Sequence, residues 1–143
     1  MKLINLAKIV ALSTLCFSPL AGAGVAVIVH PSVSTNALTV EAVKQLFLGR
    51  ASALPDGTAV APVDQAEGSA VRAQFAERVL GKNEQQLRSY WSRMIFTGKG
   101  QPPRGVASAA EMLKTVASSP GFIGYVDTKD VVAGKVKVLY SIE

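Results

Sequence analysis

Two hydrophobic periodicities alternate along the chain. The run Val25–Val29 is continuously apolar and β-branched, which predicts a strand buried on both faces. Further strands are predicted over Ala59–Val63, Phe122–Val126 and Lys135–Tyr140. Pro62 has no backbone N–H, so we expect that point to lie at a sheet edge or a strand end.

Amphipathic helices are predicted between these strands. Each has a polar residue suited to cap its first turn: Thr39, Ser69 after Gly68, Asn83 and Ser108. Gln86 and Glu111 stand at the positions that complete capping boxes. The predicted inner faces carry Val40, Val43, Leu46 and Phe47, then Val71, Phe75 and Val79, then Leu87, Tyr90, Trp91, Met94 and Ile95, then Met112, Leu113 and Val116. The segment Phe96–Pro103 is predicted to be irregular.

Strands that alternate with amphipathic helices predict an α/β domain around a mostly parallel sheet flanked by helices. The sequence contains no internal repeat and no low-complexity linker. We therefore predict a single domain over residues 24–143.

The first 23 residues have the three parts of a secretory signal peptide. Lys2 and Lys8 give a positive start, Ile9–Phe17 is mostly apolar, and Ala21–Ala23 offers small residues at the cleavage positions. The apolar run is shorter than the roughly 20 residues that a membrane-spanning helix needs. We therefore expect export, cleavage after Ala23 and a periplasmic location.

The predicted mature chain carries 13 basic and 10 acidic residues, a net charge of +3, against +5 for the full chain. Its basic residues are scattered, unlike the clustered charge of a nucleic-acid-binding protein. It has no cysteine, since Cys16 lies in the signal peptide, so its stability must come from an apolar core.

Residues for catalysis or metal binding are scarce in this sequence. His30 is the only histidine, and it is interpreted as a strand-end residue with an ordinary hydrogen bond. Ser69 lacks the flanking glycines of a nucleophile elbow. Asp64 and Glu67 are interpreted as two solvated loop acids. We therefore predict neither an enzyme nor a metal or cofactor site.

One stretch has the chemistry to bind an anion. Residues 63–72 lead from a strand into a helix, where free backbone N–H groups and the helix dipole favour negative charge. Gly68 lets the backbone approach a ligand closely, Ser69 offers a hydroxyl, and Arg72 offers a positive charge. Two other interpretations stay open: Ser69 caps its own helix, and Arg72 lies on the solvated face.

Several segments, in order, resemble the periplasmic phosphate-binding proteins of ABC importers. They are GVAVIVHPSVSTNALTVEAVKQLFLGR, LPDGTAVAPVDQAEGSAVRAQFAERVLG, YWSRMIFTGKGQPP and SSPGFIGYVD. Members of that family have two lobes that close around the anion, and this chain is similar to the second lobe alone. The resemblance implies one lobe of a type II periplasmic-binding-protein fold.

The loop that corresponds to the family's phosphate loop departs from its pattern. Gln65 stands where the family has an arginine, while Glu67 matches its acid and Gly68–Ser69 are retained. Ala70 and Val71 replace a Gly-Thr pair, so a cation and a hydroxyl donor are lost. The resemblance therefore implies weak phosphate binding at most, at Gln65, Gly68, Ser69, Ala70, Val71 and Arg72.

Two hypotheses from different classes follow. In the first, the protein holds a small oxyanion such as phosphate, with or without an ABC permease. In the second, it keeps the scaffold and binds another protein, such as a membrane sensor or a second copy of itself. The surface that faces the missing lobe favours a homodimer if it is apolar.

Overall fold

The computed structural model describes residues 24–143, so the predicted signal peptide lies outside the described residues. No helix within this range is long and apolar enough to cross a membrane. In chain order, the elements are β1 (Val25–Val29), α1 (Val40–Phe47), β2 (Ala61–Gln65), α2 (Ala70–Phe75), a π-helical segment (Ala76–Leu80), α3 (Glu84–Phe96), β3 (Arg104–Val106), α4 (Ala109–Ser118), β4 (Phe122–Asp127), a 3-10 turn (Thr128–Asp130) and β5 (Lys137–Ile142).

The strands form one sheet in the order β3-β2-β4-β1-β5. β2 pairs in parallel with β3 and with β4, whereas β1 is antiparallel to both β4 and β5. Four strands therefore point the same way and β1 alone is reversed. This confirms the predicted mostly parallel α/β sheet.

Helices cover both faces of the sheet. All five residues of β1 are buried, as its continuous apolar run predicted. Val25, Val27 and Val29 belong to the core beneath α1, α2 and α3, while Ala26 and Ile28 belong to the core beneath α4. The alternation of side chains along a strand makes this division, so β1 must be apolar at every position.

The predicted helix caps are present. The side chains of Thr39, Ser69, Asn83 and Ser108 each accept a hydrogen bond from a backbone N–H in the first turn of their helix. These bonds satisfy donors that the helix itself cannot satisfy.

Only one of the two predicted capping boxes is closed. Gln86 accepts a hydrogen bond from the backbone N–H of Asn83 at 2.9 Å, which completes the box at α3. At α4, the carboxylate of Glu111 accepts instead from the backbone N–H of Ala107, one residue before the cap. That half of the prediction is wrong, although the carboxylate still satisfies a donor near the helix start.

β2 and β5 each lie two residues later than predicted, whereas β1 has the predicted bounds and β4 ends one residue later. β2 begins at Ala61 because the residues before it form a turn, in which Leu54 N–H donates to the carbonyl of Thr58. Pro62 lies near the start of β2, and pairing with β3 begins only at Val63. The strand-end prediction for Pro62 is therefore confirmed. The three-residue strand β3 was not predicted, because so short a segment carries no periodic pattern.

Two residues predicted on inner helix faces are exposed. Val40, the first residue of α1, is 40% exposed, and Ile95, near the end of α3, is 55% exposed. The neighbouring Phe96 is 92% exposed, a large apolar side chain without cover in the described part of the chain.

Candidate functional site

The predicted anion-binding loop follows the carboxyl end of β2, a strand flanked on both sides by parallel neighbours. The backbone N–H of Ala66 donates to the carbonyl of Val106 at 3.0 Å, which ties the loop to β3. Gly68 has a φ of 88°, a left-handed conformation that a side chain would strain. The loop thus occupies the edge where open α/β sheets bind ligands.

Ser69 is the cap of α2. Its hydroxyl oxygen accepts from the backbone N–H of Arg72 at 3.3 Å, and the hydroxyl donates to Oε1 of Gln65 at 3.3 Å. The capping interpretation is therefore confirmed. In this arrangement the hydroxyl is already engaged as both donor and acceptor.

Backbone donors remain open at the same place. Among residues 24–143, the N–H groups of Gly68, Ala70 and Val71 have no hydrogen-bond partner. Gly68 and Ala70 are exposed, and Val71 is half-buried. Three main-chain donors around one helix start are the part of the predicted site that a ligand can reach.

Gln65 does not face the open end of the loop. Its side chain is buried, and Nε2 donates to the carbonyl of Tyr125 at 3.1 Å while Oε1 accepts from Ser69. Gln65 therefore braces β2 against β4 and supports the cap. The structure places it beside the predicted site, with its polar atoms turned to the protein.

Arg72 is held by two carboxylates. Nη1 donates to Oδ2 of Asp64 at 2.8 Å, and Nε and Nη2 form a bidentate pair with Glu84 at 3.0 and 2.7 Å. Nη1 also donates to the carbonyl of Gln65 at 2.8 Å. Burial acts to lower the pKa of Arg72, but its bonds to Glu84 and the charge of Asp64 outweigh burial and raise it. Its positive charge is thus neutralised within the protein, and the solvated-face interpretation is wrong.

The interpretation of Asp64 and Glu67 as two solvated loop acids holds only for Glu67. Glu67 is exposed and pairs with Arg88 at 3.4 Å. Asp64 is largely buried between Arg72 and the hydroxyl of Tyr125, which donates to its Oδ1. Burial raises the pKa of Asp64 above its usual range, against the opposing effects of the Tyr125 hydrogen bond and the charge of Arg72.

Tyr125 and Glu84 were missed by sequence reasoning. The ring of Tyr125 stacks on Phe75 at a centroid distance of 3.9 Å, and burial and the Asp64 carboxylate raise the pKa of its hydroxyl. A tyrosine within the apolar run Phe122–Val126 was a usable signal, because a buried hydroxyl needs a partner. Glu84 gave no such signal, since an acid in the first turn of a helix is common.

His30 has the role that was predicted. It directly follows β1, and its Nδ1 accepts from the backbone N–H of Ser32 at 3.1 Å and contacts the Ser32 hydroxyl at 2.7 Å. Within residues 24–143, no group of three or more histidine, cysteine or acidic side chains is arranged to hold a metal ion.

Comparison with solved structures identifies the fold. The chain superimposes on an ABC-type phosphate transport receptor from Vibrio cholerae with a TM-score of 0.65 and 19% identity. It superimposes on a Clostridium perfringens protein solved with bound phosphate with a TM-score of 0.63 and 19% identity, and on PstS from Borrelia burgdorferi with 0.59 and 14%. No protein-family model and no curated protein matches the chain.

The matches cover 82% of this chain but only 45%, 44% and 47% of those three proteins. The chain therefore spans less than half the length of the proteins whose fold it shares. The predicted resemblance to one lobe of a periplasmic binding protein is confirmed at the level of the fold.

Proposed function

We propose that this chain is an exported, non-catalytic solute-binding lobe that holds a small oxyanion such as phosphate weakly at the start of α2. The observation that carries the proposal is the set of open N–H groups at Gly68, Ala70 and Val71. They surround a helix start at the carboxyl end of a parallel strand, where the dipole and the main chain both favour an anion. The similarity to an ABC-type phosphate transport receptor and to a protein solved with bound phosphate supports the choice of ligand.

The charges around the loop explain why we expect weak binding. Asp64, Glu67 and Glu84 bring three negative charges, against two positive charges on Arg72 and Arg88. Arg72 cannot turn toward a ligand without leaving Asp64 and Glu84 unpaired. A dissociation constant of about 1 mM corresponds to roughly −4 kcal/mol, which a few main-chain bonds can supply.

Ala70→Pro tests the main-chain donors directly. Ala70 is the first residue of α2, where proline fits a helix and removes only an N–H that no protein group uses. Ser69 has φ −67° and ψ 131°, a conformation that a following proline permits. Ala109→Pro, at the same position of α4, is the matched control, because Ser108 is also extended.

Calorimetric titration with phosphate at low ionic strength provides the measurement. We expect millimolar binding by the wild type and by Ala109→Pro, and at least threefold weaker binding by Ala70→Pro. Absence of binding by the wild type, or equal affinity of the two proline variants, would contradict the proposal. Gln65→Arg is a poor test because Gln65 is buried and bonded to Tyr125 and Ser69.

A second candidate function is protein interaction, with a second copy, an ABC permease or a membrane sensor as partner. The exposed pair Ile95 and Phe96 at the end of α3 favours it. Sedimentation of the wild type and of Phe96→Ser over a range of concentrations tests the homodimer. A dimer that the substitution weakens supports self-association, and a monomer at every concentration rules it out.

A further inference from the structure

Four cationic side chains meet around one cavity on the far side of α3 from the candidate anion loop. Arg50, Lys82, Arg93 and Lys99 line a cavity of about 350 Å³, and Tyr90 also lines it. We call this cavity, with those four cations, the basic pocket. It is within the size range of small-molecule sites.

Three separate parts of the fold supply these cations. Arg50 follows the end of α1, Lys82 follows the π-helical segment, and Arg93 lies in the last turn of α3, with Lys99 just beyond it. A cation near the end of a helix is commonly explained by the helix dipole. That explanation accounts for each residue singly but not for three helix ends that place their cations at one cavity.

Within residues 24–143, no carboxylate lies at ion-pair distance from this cluster. The ion pairs within residues 24–143 use Lys44, Arg72 and Arg88, and none of them uses a cation of the basic pocket. Arg50 and Lys82 lie over the ring of Tyr90 at 5.8 and 5.5 Å, which holds both near the cavity. Cation–π contacts orient these groups but leave their charge uncompensated.

A second cavity of about 320 Å³ extends the basic pocket along α3. It shares Lys82 and Arg93 and adds the polar side chains of Gln85, Gln86 and Ser89. The lining residues of the two cavities run along α3 from Gln85 to Thr97, which is roughly 18 Å at about 1.5 Å per residue. An anion that carries several charges along its length can contact more of these two adjoining cavities than a single phosphate ion can.

From this geometry we propose that the basic pocket binds a small polyanion of the condensed-phosphate class, at a site separate from the α2 loop. The separation follows from α3 itself. Glu84 at its first turn contacts Arg72, whereas Arg93 lies nine residues further, about 13 Å along the helix. The two sites can therefore be altered independently.

Sodium tripolyphosphate is the probe, titrated calorimetrically at low salt and again at 0.3 M sodium chloride. We expect the wild type to bind it at least tenfold more tightly than phosphate, with affinity falling at high salt because the site is exposed. The double variant that carries both Lys82→Gln and Arg93→Gln is expected to bind tripolyphosphate at least tenfold more weakly than the wild type. Urea unfolding of each variant checks that the fold is retained.

Lys114→Gln/Lys135→Gln is the charge-matched control. This double variant also removes two positive charges, but from the cavity that α4 lines on the other face of the sheet. Equal weakening by the two double variants would overturn the proposal, since general electrostatics would then account for binding. No binding by the wild type would also overturn it.

Ala70→Pro separates this proposal from the proposed function. This variant is expected to leave the affinity for tripolyphosphate unchanged even if it weakens the binding of phosphate. If it abolished tripolyphosphate binding instead, the polyanion would occupy the α2 loop and the basic pocket would not be the site.

Discussion

The hydroxyl of Tyr125 donates a hydrogen bond to the carboxylate of Asp64 across the neighbouring strands β4 and β2. The same tyrosine accepts from the Gln65 side chain through its backbone carbonyl and stacks on Phe75 through its ring. One residue of the sheet thus supports the last two residues of β2, which lead directly into the candidate anion loop. The loop is positioned by the core, and its polar contacts are largely internal.

Tyr125→Phe should destabilise the protein. Loss of the hydroxyl leaves the largely buried Asp64 carboxylate with one fewer donor, at a cost of about 1–3 kcal/mol in the free energy of unfolding. Urea denaturation followed by circular dichroism measures it. The control is Tyr140→Phe, because the hydroxyl of the half-buried Tyr140 makes no hydrogen bond among the described residues. Equal stability of the two variants would show that the Tyr125 bond is not stabilising.

Two arginines that both contact acids should differ in importance. Arg72→Met leaves Asp64 and Glu84 facing each other without their shared cation, and we expect a loss of about 3 kcal/mol. Arg88→Met breaks an exposed pair with Glu67 and should cost less than about 1 kcal/mol. Urea midpoints of both variants provide the comparison. Losses of equal size would contradict the view that Arg72 neutralises a largely buried acid.

Gly124→Ala should destabilise the packing of α4 on the sheet. A Cβ there would clash with the sulfur of Met112 and lie 3.1 Å from Cγ2 of Val116, so we expect a cost of about 1–3 kcal/mol. Gly105→Ala is the control, because nothing lies within 4 Å of its added Cβ.

A double-mutant cycle assigns the cause of that loss. If the clash with Met112 dominates, then Met112→Ala should cost less in the Gly124→Ala background than in the wild type. Additive losses would instead point to a backbone effect at Gly124.

Asp56 should stabilise the protein in a pH-dependent way. Its carboxylate accepts hydrogen bonds from the backbone N–H groups of Thr58 and Thr35. Hydrogen bonding lowers the pKa of Asp56 from 3.8 to about 2, and Thr58 contributes more to this shift than Thr35 does. Because the folded pKa is depressed, the contribution is present above pH 3.8 and is lost as the pH falls through about 2.

NMR titration of the Asp56 carboxyl carbon measures this pKa directly, with the urea-unfolded protein as the reference. Asp56→Asn keeps only one acceptor oxygen and should be less stable than the wild type at pH 6. That difference should narrow between pH 4 and pH 2. A folded pKa close to the unfolded one would contradict the assignment.

Much of the fold was predictable because the core pattern is local. The all-apolar run at β1 and the polar caps Thr39, Asn83 and Ser108 each follow from a few adjacent residues. The exposure of Ile95 was not predictable, since whether a helix end overhangs the core depends on where the neighbouring elements stop. The strand β3 exists only because β2 lies beside it.

The candidate site likewise has some features that neighbouring residues in the chain determine and others that depend on tertiary contacts. The sequence by itself determined that a glycine and a capping serine begin a helix after a strand, because capping and left-handed turns depend on neighbours in the chain. Only the tertiary structure decided that Gln65 is buried and that Arg72 is neutralised. Both outcomes depend on contacts with Tyr125 and Glu84, which lie 60 and 12 residues away in the chain. The meeting of Arg50, Lys82, Arg93 and Lys99 at one cavity has the same origin, since residues far apart in sequence share a surface only after the chain has folded.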